Sequence, residues 1–401
     1  MTKSKKFAVK LAAAVIAALM TVAAFAGCSL KVENPVVAKI GNLTIYASEY
    51  TQLFSSYYYY ASSLGYDLSV AEDLQAFQDW ILDLLIRDKV VVYMAQQNGI
   101  ELTDEELAEV EAGVQSTYDS QVESYKSQVD SSITDEAEIA AAAEALFIAY
   151  MQDSGMTKDE YLETVRNGMI EEALYEKYGE IIRAEATIED DAAQNYYDEN
   201  LAEQQESYGE APGDYYSDYV SYVNSTNSVA PFFIPEGYIR VKHILVQFDE
   251  DTAEGEEEKD YEQICSEIET HLENGAYTFD ELIEMYNDDP GMESEPYMTE
   301  GYLVSEAITD SYLEGFAEAA LALEEIGDVS PRVETTSGYH YIQLIERVES
   351  KVIPFEDVAE DIENMLLTQA QNTLFSTRVT EWVAEAPITK YSSRIRYYGV
   401  G

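Results

Sequence analysis

The sequence predicts an α+β chain, mainly helical at both ends, with a strand-bearing segment between residues 236 and 349. Three observations carry this. Amphipathic periods and helix-start signatures run through the N-terminal half. Two apolar segments with a period of two, Tyr238 to Val246 and Ser337 to Leu344, lie about a hundred residues apart. A last amphipathic stretch runs from Phe355 to about Glu385, with Phe355, Val358, Ile362, Met365 and Leu366 on its stripe. A helix of that length needs a partner for its apolar face, and the N-terminal helical region is the expected one.

The elements follow in order. Lys3, Lys5, Lys6 and Lys10 precede an uncharged apolar run of 16 residues, Leu11 to Ala26. That is shorter than the roughly 20 residues of a spanning helix, so residues 1–27 read as a secretory signal. The mature chain then starts at Cys28, with residues 28–201 as the N-terminal helical part. Val36 to Tyr46 reads as a hairpin with Gly41-Asn42 at its turn. Ser48 is placed to cap the helix that carries Tyr57 to Tyr60. Ala71 to Asn98 is a long amphipathic helix with Leu74, Phe77, Ile81, Leu84 and Leu85 as its stripe and Gly99 at its C-terminal cap. Thr103-Asp-Glu-Glu106 and Thr157-Lys-Asp-Glu160 are capping boxes that open two more helices. Residues 134–151 are Ala-rich and helical, and a helix from about Glu189 to Asn200 closes this part. Residues 202–235 are acidic and tyrosine-rich with little period, and read as a linker or insertion. Residues 350–401 hold the last helix and a short strand from Ile388 to Tyr398.

Two of the three histidines sit in the strand-like segments. Ile239, Val241, His243 and Leu245 project to one face, as do His340, Ile342 and Leu344. A single histidine in register with a core face is commonly a core residue. Two of them, in a chain otherwise almost free of histidine, point to a paired buried site.

Residues 236–349 resemble the parvulin family of peptidyl-prolyl cis/trans isomerases. The matching pieces run in the family's order: the strand with His243, the helix Phe279 to Tyr286, Asn287-Asp-Asp-Pro290, Gly315 to Leu323, Gly327-Asp-Val-Ser-Pro331, and the strand Ser337 to Leu344. The resemblance implies a small antiparallel sheet surrounded by helices. With helical parts on both sides and the Val36–Ile45 hairpin at the start, the whole layout resembles the foldase lipoproteins of Gram-positive bacteria and the periplasmic chaperone SurA. In those, a chaperone domain built from both chain ends has a parvulin domain inserted in it. Phe25-Ala-Gly-Cys28 resembles a bacterial lipobox, which implies diacylation of the Cys28 thiol; an ordinary signal peptide or an uncleaved anchor are the alternatives.

Composition narrows the partners. The chain carries 23 basic and 78 acidic residues, a net −55. Such a field repels nucleic acid and anionic membrane surfaces, so neither is an expected main partner. With Cys28 acylated, Cys265 has no partner, and its helical pattern reads as a small buried apolar residue. Nothing in the sequence has metal-ligand or phosphate-loop spacing, so neither a metal nor a cofactor is expected.

The implied chemistry needs none. Resonance gives the peptide C–N bond a rotational barrier of about 18–20 kcal/mol, and X-Pro exchange takes tens to hundreds of seconds uncatalysed. The twisted transition state loses carbonyl dipole, so a dry apolar pocket favours it relative to water, with further help from any group that bonds it better than the ground state. By resemblance, His243 and His340 match the two central histidines, each orienting the other. Asp289 stands beside the substrate carbonyl, although it also suits a turn before Pro290. Thr335 and Ser337 match the hydroxyls that complete the network. Phe316 matches the aromatic wall of the proline pocket, and Leu303 and Tyr312 two further wall positions. The sequence departs from the family at Glu295 to Leu303, where a Gly-rich loop is replaced, and at Tyr312, usually a flexible apolar residue. The loop Asp249 to Asp260 is acidic, so no preference for phosphorylated substrates is expected.

The expected function is therefore a lipid-anchored, extracytoplasmic prolyl isomerase and foldase acting on unfolded exported proteins. A holdase whose parvulin domain only binds is the alternative, and a dimer is left open. The tyrosines of residues 202–233 would serve either as client contacts or as linker.

Overall fold

The computed structural model describes residues 34–248 and 260–396. The leader with Cys28, most of the acidic loop and the end of the expected last strand lie outside the described residues. The chain divides into two compact units, residues 1–187 with 370–401, and residues 188–369.

In the first unit, β1 (Val36–Ile40) and β2 (Leu43–Tyr46) form the antiparallel hairpin about Gly41-Asn42. Five helices follow: α1 (Ala47–Tyr58), α2 (Ala71–Gln97), α3 (Asp104–Ser124), α4 (Glu136–Asp153) and α5 (Lys158–Arg183). Both capping boxes form. The Thr103 and Thr157 hydroxyls accept from the N–H of Glu106 and Glu160 at 3.2 Å, and each glutamate accepts from its threonine's N–H in return. α1 starts two residues earlier than an N-cap at Ser48 would set it, because Asn34 holds the turn: its amide donates to the Ser48 hydroxyl and its oxygen accepts the Ser48 N–H, both at 2.9 Å. Phe77, Ile81, Leu82, Ile86 and Val90 are the buried line of α2, against Tyr178 and Ile182 of α5. α3, α4 and α5 share a second cluster around Val114, Phe147 and Val165.

The second unit begins with α6 (Ala192–Glu210) and α7 (Gly213–Val223). Residues 202–233, irregular by pattern, are thus largely helical. Tyrosines hide the period: Tyr208, Tyr215 and Tyr219 occupy the buried positions where aliphatic residues would have shown it. β3 (Phe233–Ile234) and β4 (Ile239–Gln247) lead to α8 (Tyr261–Asn274) and α9 (Phe279–Tyr286). Then come a 3-10 turn (Pro290–Glu293), α10 (Tyr297–Glu300), β5 (Tyr302–Val304), a second 3-10 segment (Glu306–Ser311) and α11 (Phe316–Leu321). β6 (Val333–Glu334), β7 (Gly338–Arg347) and β8 (Lys351–Val352) complete it. The sheet is antiparallel, in the order β5-β4-β7-β6, with helices around it, as the sequence predicts.

Alternation gives β4 two different faces. Ile239 and Val241 meet Ile342, Leu344 and α11, while Ile244 and Val246 meet Cys265 and Ile268 of α8 and Phe279 and Leu282 of α9. Cys265 is fully buried and apolar in its surroundings. The last helix, α12 (Phe355–Glu385), lends Val358 and Ile362 to a cluster with Tyr197 and Phe232 of the second unit. Its later residues Val379 and Trp382 join the core of the first. β9 (Ile388–Lys390) then pairs with β1, giving the order β2-β1-β9. The strand stops after three residues, followed by a 3-10 turn at Ser392–Arg394.

Candidate active site

Strand register brings the two histidines together. His243 on β4 lies opposite Ile342, and His340 on β7 opposite Leu245. They are therefore diagonal neighbours on one face, within reach across an antiparallel pair. Their rings stack 5.3 Å apart at 9°, and Nδ1 meets Nδ1 at 3.1 Å. Both are buried, at 5% and 3% exposure.

Asp289 is delivered by the chain after α9. The Asp288 N–H donates to the Leu245 carbonyl, and the Asn287 and Asp288 side chains accept from the Leu245 and Gln247 N–H groups. This stitches residues 287–288 along the edge of β4, and Asp289 follows directly over His243. Its Oδ2 lies 2.7 Å from His243 Nε2, and its Oδ1 accepts from the Gly291 N–H at 3.0 Å, capping the 3-10 turn. The turn role and the site role expected of Asp289 coexist in one side chain.

The chain of contacts continues past His340. Its Nε2 lies 2.9 Å from the Thr335 hydroxyl, while the Ser337 N–H donates to that same oxygen at 3.2 Å. Ser337 thus joins through its backbone. One proton arrangement satisfies every link with neutral rings: Thr335 O–H donates to His340 Nε2, His340 Nδ1–H to His243 Nδ1, and His243 Nε2–H to the Asp289 carboxylate. This assignment follows from the network.

The electrostatics support a neutral His340 and an ionised Asp289. Burial, aided by His243, holds the His340 ring down to about 4, so it is neutral at pH 7. Burial pushes the Asp289 carboxyl up, but hydrogen bonds from His243, the Gly291 N–H and Tyr302 outweigh it, and the group is held at about 2. His340 makes stability depend on pH. An unfolded histidine titrates near 6.5. Between about 6.5 and 4 the unfolded chain takes up a proton that the folded site refuses, so this contribution is complete above 6.5 and is lost as pH falls. Lowering pH from 7 to 5 is expected to cost about 2 kcal/mol at this position. Urea unfolding of the wild type and His340→Asn at both pH values checks it; equal losses in the two proteins would refute it.

Phe316 lies edge-on to both imidazoles, its centroid 5.2 Å from His243 and 5.4 Å from His340, and is 4% exposed. Tyr312 stacks on Phe316 at 5.3 Å and 13°. Leu303 does not join them. Its side chain turns to the other face of β5, into a cluster with Tyr208, Tyr215, Tyr219 and Tyr238. The site-facing residue is its neighbour Tyr302, which sequence reasoning missed. Its hydroxyl donates to Asp289 Oδ2 at 2.9 Å and its ring lies 5.6 Å from His243. The signal was available: Tyr302 and Val304 alternate with Leu303, and only the first two share a face with Val241.

Two glycines make room for this. Gly301 has φ +71°, and a Cβ there would lie 2.5 Å from the Val241 carbonyl oxygen. A Cβ on Gly291 would lie 1.9 Å from the Tyr302 hydroxyl, so only glycine lets that phenol reach Asp289. A separate groove of about 820 Å³ lies on the opposite face of the sheet, lined by Arg240, Lys242, Gln343 and Ile345 among others. It belongs to the face away from the histidines. Among the described residues, no group of His, Cys, Asp and Glu is placed to hold a metal ion.

The stretch that holds these residues is similar to known proteins. Residues 243–346 match the PPIC-type PPIase domain, and residues 1–121 the SurA-like N-terminal domain. Foldase protein PrsA of Clostridium perfringens is 22% identical over 331 residues, covering 82% of this chain and 77% of its own. Foldase protein PrsA of Clostridium acetobutylicum is 23% identical over 403 residues, covering 96% and 98%. Among solved structures, PrsA from Bacillus subtilis matches at 20% identity and a TM-score of 0.24, covering 88% of this chain and 91% of its own. A SurA-like chaperone of Campylobacter jejuni matches at 19% and 0.28, covering 73% and 97%. Residues 243–346 therefore carry a PPIC-type peptidyl-prolyl cis/trans isomerase domain, in a chain similar to the PrsA foldases and the SurA-like chaperones.

Proposed function

We propose that this chain is a peptidyl-prolyl cis/trans isomerase and foldase for exported proteins, working at the Asp289–His243–His340–Thr335 chain beneath Phe316. The observation that supports it best is that chain itself: four hydrogen-bonded side chains from three separate segments, His243, His340 and Thr335 buried and Asp289 half-buried, with an aromatic ring set across both imidazoles.

The geometry suits bond rotation. A planar X-Pro amide concentrates negative charge on its carbonyl oxygen, and twisting removes part of it. A fixed carboxylate beside that oxygen, ionised and anchored by three donors, repels the planar form more than the twisted one. The aromatic wall supplies the dry surface for the prolyl ring. No covalent bond is made. His243, His340 and Thr335 act by holding Asp289 in place.

The N-terminal part and the anchor extend the reading. Diacylation of Cys28 would tether the protein outside the cytoplasmic membrane, where chains emerge from export. Among the described residues no helix is long and apolar enough to cross a membrane. The test is cis/trans exchange of an X-Pro peptide, followed by NMR, with the whole chain and with His243→Ala. We expect catalysis from the wild type and a loss of at least tenfold in the variant, because the buried His340 and Asp289 lose their shared partner. Equal rates from two folded proteins would place any activity elsewhere.

A further inference from the structure

A carboxylate that acts by its charge must be aimed as well as ionised. Asp289 is half-buried, and its donors come from three segments. The Gly291 N–H, local to the 3-10 turn, holds Oδ1 at 3.0 Å. Oδ2 takes two donors, His243 Nε2–H from β4 at 2.7 Å and the Tyr302 hydroxyl from β5 at 2.9 Å. A single hydrogen bond tolerates a broad range of directions at such an oxygen. Two that converge on it from different strands leave little. Burial, with the Asp289 charge beside it, keeps the Tyr302 hydroxyl protonated far above the ordinary tyrosine range, so it donates at working pH.

What sets Tyr302 lies on the other face of the sheet. Tyr302 follows α10, in the stretch Glu295 to Leu303 where the sequence departs from the family. Tyr297 stands against the Tyr302 ring at 4.7 Å and 30°, and the Gly301 N–H donates to the Tyr297 carbonyl at 2.9 Å. Glu300, two residues before Tyr302, is clamped by Arg240 of β4. One guanidinium nitrogen lies 2.9 Å from its carboxylate, and another donates to its carbonyl at 3.5 Å. Tyr219 of α7 donates to the Glu300 carboxylate and accepts from Arg240, both at 3.3 Å. Alternation puts Arg240 on the groove face of β4 and His243, three residues on, beneath Asp289. One strand therefore governs both donors to Oδ2, the first directly and the second through Glu300.

We propose that Tyr302 is a positioning residue for isomerisation, anchored across the sheet by the Arg240–Glu300 ion pair: it holds Asp289 Oδ2 in the direction from which the carboxylate acts on the X-Pro carbonyl. This rests on the function proposed above. In this role the hydroxyl acts on the carboxylate and not on substrate. Its loss misaims the charge and leaves the wall that takes the prolyl ring as it was, so kcat falls and KM holds.

The test uses the whole chain and an X-Pro peptide at increasing concentration, with exchange read by NMR and folding by circular dichroism. Tyr302→Phe removes the hydroxyl and keeps the ring. We expect kcat to fall about tenfold, the scale of one hydrogen bond to a charged group, with KM within about twofold. Gly291→Ala keeps the phenol but displaces it, since its Cβ would lie 1.9 Å from the hydroxyl. It should lower kcat in the wild type and add nothing in the Tyr302→Phe background. Glu300→Gln loosens the anchor, while Arg240 keeps Glu346 at 3.5 Å. Here kcat should fall about threefold, the scale of one exposed ion pair, and again only where Tyr302 is present. An unchanged kcat in folded Tyr302→Phe overturns the proposal and leaves the isomerase reading standing. A loss carried by KM makes Tyr302 a substrate contact and also overturns it. A Glu300→Gln effect that is absent, or that persists in the Tyr302→Phe background, removes the anchor. A wild type without catalysed exchange takes both readings together.

Discussion

Replacing Asp289 by alanine is expected to lower kcat/KM for an X-Pro peptide by on the order of a hundredfold, the scale seen when one preorganised electrostatic group is lost from an active site. The carboxylate is held ionised in the proposed network. Three donors converge on it: His243 Nε2–H, the Tyr302 hydroxyl and the Gly291 N–H. Alanine removes the charge and leaves these groups without their acceptor, the most costly of them the buried His243. The loss should lie mainly in kcat, because the charge acts on the difference between planar and twisted amide. Protection of an unfolded client against aggregation, measured beside catalysis, separates two functions. Catalysis lost with protection intact assigns the carboxylate to rotation alone. Catalysis unchanged in a folded Asp289→Ala protein would show that the charge has no part in it.

Phe316→Ala should be the most destabilising single change in the site, at about 3–5 kcal/mol, the range for deleting a buried aromatic side chain. Phe316 is 4% exposed and packs at once on His243, His340 and Tyr312. The cavity would open beneath two imidazoles that have no means of following the ring. Water entering there would compete for the His243–His340 contact. Chemical denaturation followed by aromatic fluorescence or circular dichroism measures the first effect. A loss below about 1 kcal/mol, ordinary for a surface substitution, would contradict the packing described.

Much of this was legible in the sequence, for reasons that can be named. The two capping boxes, the hairpin at Gly41-Asn42 and α12 were visible because each depends on local chemistry or on a single period. The histidine pair was visible because alternation in β4 and β7 fixes the face of each ring. What was hidden was hidden physically. The second half of α6 and all of α7 bury tyrosines, whose polar hydroxyls blur the contrast on which period-finding rests. β5 is three residues long, too short for alternation to set its register, and a slip of one residue exchanged Leu303 for Tyr302. Ser337 sits in a tight turn where its backbone, not its side chain, reaches Thr335.

The order β2-β1-β9 carries a consequence for synthesis. β1 is made early in synthesis, and β9, its partner on one edge, late. The loop closed by that pairing spans about 350 residues, so its formation carries a large entropic cost and comes late. All of residues 188–369 will have been synthesised by then, free to fold on their own local contacts. Until the last residues arrive, β1 keeps an unpaired edge, itself able to pair with another chain. A foldase built this way passes through the same vulnerable state as the unfolded chains it would serve, and leaves it only when β9 returns to β1.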